Sequence, residues 1–180
     1  MPRVRTTETA DRIRAVAMEL IGEKGVAQAS LREIAERVGI SKPALYYHFA
    51  SREELVRSII TPMVEDLEAF VTGIEAAHEH DPRALLSGFF DLHLKHRDIL
   101  LLAVREMTTL ADLGLLDVAI GWRTRVGELL VGPDAPLARQ CQAVVALGGM
   151  ADCAWAFEQV PVETLRPAAV DAACLALGIT

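Results

Sequence analysis

The chain has 180 residues, a length that suits one large domain or a small domain joined to a larger one. Apolar residues make up 52% of it and aromatic residues only 5%, so a core rich in alanine and leucine favours helices. No uncharged apolar run reaches about eighteen residues, and no apolar segment follows the basic N-terminus, so we expect neither a membrane span nor a secretory signal.

Cysteine and charge indicate the compartment and the partner. Cys141, Cys153 and Cys174 are odd in number and widely spaced, so we expect buried thiols in a reducing cytoplasmic compartment, with no disulfide, metal or cofactor. Residues 1–60 carry ten Lys and Arg against eight Asp and Glu, whereas residues 61–180 carry eight against seventeen. This asymmetry suggests that only the N-terminal part contacts a polyanion, although charge scatter alone would give the same totals.

Helical spacing dominates the N-terminal third of the chain. The first predicted helix has apolar residues at i, i+3, i+4, i+7 and i+8: Ile13, Val16, Ala17, Leu20 and Ile21. Gly25 follows where a helix C-terminal cap is expected. Ser30 and Glu33 form a predicted capping box for a second helix that ends at Gly39, and Ser41 opens a third short helix.

Turn signals divide the remainder into six further helices, and no strand alternation is present. The predicted helices cover about residues 51–77, 82–95, 96–107, 110–130, 136–157 and 162–177. A second capping box, Ser51 with Glu54, opens the first of these, and Pro62 is a predicted kink point. The sequence therefore predicts an all-α fold of nine helices.

The second and third helices of the chain, joined by "VGIS", form a predicted helix-turn-helix. The later of the two, the third helix of the chain, would enter the major groove of DNA. Gly39 can adopt the positive φ that this turn requires. Lys42 can reach base acceptors or phosphates, while Pro43 and Ala44 are small enough to let the backbone approach thymine methyl groups.

The remaining polar residues of this segment suit the DNA backbone. Tyr46 and Tyr47 carry hydroxyls suited to phosphate oxygens or a base edge, and His48 and Arg52 would flank the backbone. Ser30 and Ser41 place hydroxyls and free amides at helix N-termini, where the helix dipole favours a phosphate. For Arg3 and Arg5 we expect a solvated tail, with an arm over the DNA as the alternative.

The stretch "ETADRIRAVAMELIGEKGVAQASLREIAERVGISKPALYYHFASREELV" resembles the TetR family of transcriptional regulators. Its specific part is Ile-Ala-x-x-Val-Gly-Ile-Ser followed by Leu-Tyr-Tyr-His-Phe, within the first third of the chain. The resemblance implies a helix-turn-helix DNA-binding domain over residues 1–50. It also implies a helical effector-binding and dimerisation domain over residues 51–180, with the last two long helices forming a homodimer.

The resemblance also assigns roles within the first domain. It implies that Lys42, Pro43, Ala44 and Tyr46 face bases of double-stranded operator DNA. It implies that five other residues face phosphates, namely Ser30, Ser41, Tyr47, His48 and Arg52. Leu45 and Phe49 would be core residues.

The helix containing "AVVALGGMADCAWAF" is apolar on all sides, which predicts burial against a partner subunit. The predicted interface residues are Val144, Val145, Leu147, Gly148, Met150 and Trp155. Apolar runs between residues 51 and 130 predict a pocket for a small apolar effector. Its predicted lining is Phe89, Phe90, His93, Leu101, Arg105, Met107 and Trp122, although each alone is more typical of a closed core.

The resulting hypothesis is a homodimeric repressor that a small apolar ligand releases from its operator. One alternative is a helical enzyme or small-molecule carrier with a vestigial helix-turn-helix, for which the candidate catalytic residues are Glu106, Asp117 and Asp152. Another alternative is a DNA-binding protein that needs no effector. His93 and His96 could share a helix face, but "KHR" is more typical of a helix end than of a metal site.

Overall fold

The computed structural model describes residues 3–26, 28–77, 81–105, 107–112 and 114–179, without the side chains of residues 3–6, 103, 105, 108–110, 115 and 116. Within these residues the secondary structure is helical and contains no strand, as the sequence predicts. The helices are α1 (Arg3–Lys24), α2 (Leu31–Val38), α3 (Lys42–His48), α4 (Arg52–Ala76), α5 (Pro82–Lys95), α6 (Arg97–Arg105), α7 (Met107–Asp112), α8 (Leu115–Val131), α9 (Leu137–Ala156) and α10 (Val162–Leu177).

Two of these helices differ from the prediction. A single helix was expected to begin near Leu110, but the described chain has the short α7 there, and α8 begins only after Gly114. Gly114 has a φ of 70°, in the left-handed region that interrupts a right-handed helix. At the N-terminus, α1 already begins at Arg3, so the backbone of Arg3 and Arg5 is helical instead of the expected tail.

The chain forms two compact units. The first comprises residues 1–62 and 102–113, and the second comprises residues 63–101 and 114–180. The first unit therefore extends beyond the expected boundary at residue 50 and includes the N-terminal half of α4. Pro62 lies inside α4, at the end of the first unit.

The core of the first unit is built from the predicted helical stripes. Ile13, Ala17 and Leu20 of α1 are fully buried, and α1 packs against α2, which in turn packs against α3. Leu45 of α3 is fully buried and Phe49, the residue that ends this helix, is almost so. Their burial leaves the opposite side of α3 exposed.

In the second unit, α9 packs against α5, α8 and α10, and α10 also packs against α5. Its largest fully buried side chains include Phe90, Leu86, Leu147 and Leu177. Among the described residues, no helix combines the length and apolar character needed to cross a bilayer. The expectation of three buried cysteines holds only for Cys174, because Cys141 lies on the exposed side of α9 and Cys153 is half-buried.

Ion pairs connect several helices of the second unit. Glu68 of α4 accepts hydrogen bonds from Trp122 Nε1 at 2.9 Å and from Arg125 Nη1 at 2.9 Å, both on α8. The bonds from Trp122 and then Arg125 lower the pKa of Glu68. Arg125 also holds Glu75 of α4 through Nε at 2.8 Å and Nη2 at 2.7 Å. The C-terminal half of α4 is therefore attached to α8 at two points.

Candidate nucleic-acid interface

The turn between α2 and α3 depends on Gly39. Its φ of 78° and ψ of 32° are left-handed, which confirms the expectation of a positive φ. The amides of Gly39 and Ile40 both donate to Ala35 O at 3.0 Å. Because these bonds close the end of α2, they determine where the chain leaves α2 and begins α3.

Serine side chains cap the N-termini of three helices that begin in the first unit. Ser30 Oγ accepts from Glu33 N at 3.1 Å, Ser41 Oγ from Ala44 N at 3.3 Å, and Ser51 Oγ from Glu54 N at 3.1 Å. The Glu54 carboxylate reaches back to the amide of Ala50 at 2.7 Å, close to the reciprocal bond of a capping box.

In the predicted capping box at the start of α2, the carboxylate of Glu33 binds Lys24 Nζ of α1 at 2.5 Å. Glu33 thereby contributes an ion pair between α1 and α2, a role that the box pattern does not predict. No local pattern in the sequence indicates the role of Arg12, whose Nη2 donates to Val38 O at 3.0 Å and attaches α1 to the end of α2.

The exposed side of α3 carries the residues predicted to contact DNA. The side chain of Tyr47 is 78% exposed and that of Tyr46 is 43% exposed. The Nζ of Lys42 lies 5.6 Å from the centroid of the Tyr46 ring, and Tyr47 meets the His48 ring edge-on at 5.5 Å. Lys42 and the two tyrosines therefore form a polar, aromatic surface along the exposed side of α3.

The other predicted contact residues lie around this surface. Ser41 and Pro43 are exposed, whereas Ser30, Ala44, His48 and Arg52 are half-buried. The hydroxyls of Ser30 and Ser41 use an oxygen lone pair for capping, which leaves the hydroxyl hydrogen able to donate to a phosphate. Arg52 is the first residue of α4, immediately after the turn that follows α3.

Many basic residues of the first unit already face carboxylates. Arg37 pairs with Glu23 at 3.2 Å, Arg32 with Glu36 at 2.8 Å and Arg14 with Asp11 at 2.6 Å. Lys42, in contrast, lies over the Tyr46 ring, a contact that leaves its charge unneutralised. Within the described contacts, α3 presents its positive charge through Lys42.

The predicted pocket residues differ in burial, and their grouping into one cavity stays a prediction. Phe89, Phe90 and Trp122 are buried in the second unit, and Leu101 is half-buried there. The Phe89 and His93 ring centroids are 4.3 Å apart, and His93 Nδ1 is 2.8 Å from Phe89 O. The side chain of Arg105 lies outside the described residues. Met107 is 55% exposed, which does not fit the wall of an enclosed cavity.

The predicted interface residues divide between the surface and the interior of α9. Val144 and Val145 are 59% and 65% exposed, so they can meet a partner. Leu147, Gly148 and Met150 are buried within the single chain, which corrects their assignment to an interface. The guanidinium of Arg123 occupies the space beside Gly148 and donates to Val144 O at 3.2 Å.

The last predicted interface residue, Trp155, is half-buried, and its Nε1 donates to Asp152 Oδ1 at 3.3 Å. The all-round apolar character of α9 therefore reflects packing on α5, α8 and α10 as well as an outward face.

Candidate metal and catalytic groups were also located. His96 ends α5, as the "KHR" pattern predicts, and its Nε2 lies 2.6 Å from Asp66 Oδ2, which Lys95 Nζ also contacts at 2.6 Å. In the described part of the chain, no three His, Cys, Asp or Glu side chains form a metal-binding group. Asp117 and Asp152 are exposed, while Glu106 lies outside the described residues.

Residues 13–59 match the family model described as "Bacterial regulatory proteins, tetR family". The chain is 36% identical over 81 residues to the HTH-type transcriptional activator FasR of Mycolicibacterium smegmatis, covering 42% of this chain and 36% of FasR. It is 32% identical over 102 residues to the HTH-type transcriptional regulator TtgR of Pseudomonas putida, covering 52% and 49%. These matches span half or less of each relative, and both are named as transcription regulators, not as enzymes.

The fold of the whole chain has solved counterparts. A transcriptional regulator of the TerR/AcrR family from Aquifex aeolicus aligns with a TM-score of 0.74 at 21% identity, covering 93% of this chain and 98% of that one. This likeness supports the fold, and the match over α1–α4 identifies the helix-turn-helix. Residues 13–59 therefore form the helix-turn-helix part that is shared with bacterial regulatory proteins of the tetR family.

Proposed function

We propose that this protein is a transcription regulator that binds operator DNA as a homodimer through α3. The observation that carries the proposal is the exposed surface of Lys42, Tyr46 and Tyr47 on a helix whose start and entry turn are capped. A helix of this kind fits the major groove, where lysine can reach base acceptors and tyrosine hydroxyls can reach phosphates. The two copies in a dimer would read half-sites one helical turn, or a multiple of it, apart.

Selection of bound sequences from random DNA, followed by gel-shift titration, tests the DNA-binding part. Tyr47→Ala should weaken binding to all selected sequences about equally, because a phosphate contact positions the helix without reading bases. Lys42→Ala should weaken binding by about 1–3 kcal/mol and alter sequence preference. Lys24→Ala is the matched control, because Lys24 lies in the same unit and is paired with Glu33. If Lys42→Ala and Lys24→Ala bind alike, α3 is not the reading helix.

The homodimer is proposed from the outward side of α9 and α10. Leu137, Val144 and Val145 of α9 and Leu175 of α10 are each more than half exposed, which is unusual for so many large apolar side chains on two neighbouring helices. A second copy that supplies the same two helices would bury them as a four-helix bundle. We therefore expect the protein to sediment as a dimer at micromolar concentration.

Val145→Glu tests that surface, because it places a charge among apolar residues that the proposed dimer would bury. The variant should sediment as a monomer with unchanged helix content. Thr124→Glu adds the same charge at an exposed position of α8 and should remain dimeric. A wild-type monomer at micromolar concentration would refute the proposed assembly.

The proposal further includes release of DNA by a small, largely apolar ligand bound in the helical body. Support comes from the chain order, since α4 directly follows the helix-turn-helix and its C-terminal half is attached to α5 and α8. Because linkage is reciprocal, operator DNA must weaken the binding of such a ligand by the factor by which the ligand weakens DNA binding.

A ligand found by thermal-shift screening tests this release step when it is titrated with and without operator. Equal affinities in the two titrations would exclude that ligand as an effector. A reporter gene placed behind the selected operator would separate repression, which we propose, from the activation named for FasR.

A further inference from the structure

We propose that Arg97 anchors a binding site for a small molecule that carries a single carboxylate. Arg97 is the first residue of α6, and its Nη1 lies 3.5 Å from the carbonyl oxygen of Glu158, which follows α9. Its Nε and Nη2 are shielded from solvent, and neither has a hydrogen-bond acceptor within the structure described. Both residues belong to the second unit, so the site is contained in one compact part of the chain.

Shielded guanidinium donors without an acceptor are energetically unfavourable. A buried polar group loses its hydrogen bonds to water, and for a charged group the loss is larger than for a neutral one. Buried ionised groups in proteins are therefore found with a counter-ion or a ligand. Arg97 as a whole is half-buried, and its Nη1 contacts the carbonyl of Glu158 on the exposed side, whereas Nε and Nη2 have no access to water.

The two unpartnered nitrogens form one edge of the guanidinium. Nε–H and the nearer Nη2–H point in parallel directions, and their spacing matches the two oxygens of a carboxylate. Two other arginines of this protein use that edge. Arg166 holds Asp91 through Nε at 2.6 Å and Nη2 at 2.7 Å, and Arg125 holds Glu75 through Nε at 2.8 Å and Nη2 at 2.7 Å.

Charge selects a carboxylate over a phosphate. A phosphate monoester carries about −1.5 to −2 charges at neutral pH, so one guanidinium leaves it partly uncompensated. The neighbouring side chains of Lys95 and His96 already contact Asp66. Residues 61–180 carry eight basic against seventeen acidic residues, so the surrounding chain supplies no surplus positive charge. A monoanion neutralises Arg97 without adding net charge.

The rest of the ligand should be apolar. The Arg97 edge is shielded from water, so a carboxylate that reaches it must bring its attached carbons into the same surroundings. Ile99, two residues along α6, is buried. An aliphatic monocarboxylate is therefore the ligand class that we propose for this edge. That such a ligand acts as the effector rests on the proposed function, whereas its binding to Arg97 does not.

Calorimetric titration of the full-length protein, without DNA, tests the site. The probes are hexanoate, hexanamide and hexyl phosphate, which share a chain and differ in the head group. We expect hexanoate to bind at least tenfold more tightly than either of the others. Equal binding of hexanoate and hexanamide would overturn the proposal, because Arg97 would then not recognise the charge. Tighter binding of hexyl phosphate would overturn the carboxylate assignment.

Two variants locate the binding. Arg97→Lys keeps the charge but loses the bidentate edge, so it should weaken hexanoate binding at least tenfold. Arg166→Lys is the matched control, because the same edge of Arg166 is occupied by Asp91, and it should bind hexanoate like the wild type. If Arg97→Lys also binds like the wild type, the ligand binds elsewhere and the proposal fails.

Unfolding without any ligand gives an independent readout. Arg97→Met replaces the unpartnered edge with apolar atoms, so its thermal midpoint should equal or exceed that of the wild type. A midpoint lowered by more than about 4 °C would show that the edge has a protein partner in the unliganded state and would overturn the proposal. Neither measurement involves DNA, so both remain decisive if the protein fails to bind an operator.

Discussion

Replacement of Gly39 by alanine isolates the backbone requirement of the turn that positions α3. The φ of Gly39 is 78°, and a Cβ built there would meet no atom within 4 Å. The cost of the substitution therefore comes from the left-handed backbone alone, not from a clash. An L-residue in this conformation costs roughly 1–2 kcal/mol, so Gly39→Ala should lower the free energy of unfolding by about that amount.

Gly73 provides a control with the opposite expected sign. It lies inside α4, and a Cβ there also meets nothing within 4 Å. Because Gly73 is helical, Gly73→Ala should raise the free energy of unfolding by about 0.5–1 kcal/mol. Gly39→Asn should fall between wild type and Gly39→Ala, since asparagine tolerates the left-handed region better. Urea unfolding followed by circular dichroism measures all three variants. The reasoning is refuted if the two alanine variants shift stability in the same direction.

Two further predictions concern the second unit. Burial lowers the pKa of His93, so the unfolded chain takes up a proton first as the pH falls. The free energy of unfolding should therefore decrease as the pH falls through about 6.5, and urea titrations of His93→Gln should show a flatter dependence. A Cβ on Gly88 of α5 would lie 2.6 Å from Cε2 of Phe70 on α4, so Gly88→Ala should destabilise the protein by about 1–3 kcal/mol, measurable by calorimetry. An unchanged midpoint would show that the Phe70 ring moves aside freely.

The helix-turn-helix could be predicted because its signals are local. Ser41 as a cap, Gly39 at the turn and Leu45 and Phe49 four residues apart each act within one or two turns of helix, and each has the predicted conformation or burial. Exposure of Lys42 and Tyr47 follows once Leu45 is buried, since the helix period then determines which residues face outward.

Assignments in the helical body were less successful because apolar periodicity does not identify the neighbour that buries a residue. Leu147 and Met150 match a predicted interface as well as they match a core, and only packing against α5, α8 and α10 places them inside. Gly148 was assigned to close approach of a partner, whereas the side chain that approaches it is Arg123 from the same chain. The predicted pocket stays a prediction, since burial alone separates the exposed Met107 from the buried Phe89, Phe90 and Trp122.

The amino-acid sequence by itself determined the helical class, the capped third helix and the N-terminal resemblance to the tetR family, because helix propensity, capping and turn chemistry depend on residues a few positions apart. Only the tertiary structure decided which charges are paired and which are left without a partner. Arg166 and Arg97 are both arginines on helices of the same unit, but Arg166 meets Asp91, 75 residues away, and Arg97 meets a backbone carbonyl 61 residues away. Contacts at such separations depend on how the helices pack, and no local pattern in the chain encodes them.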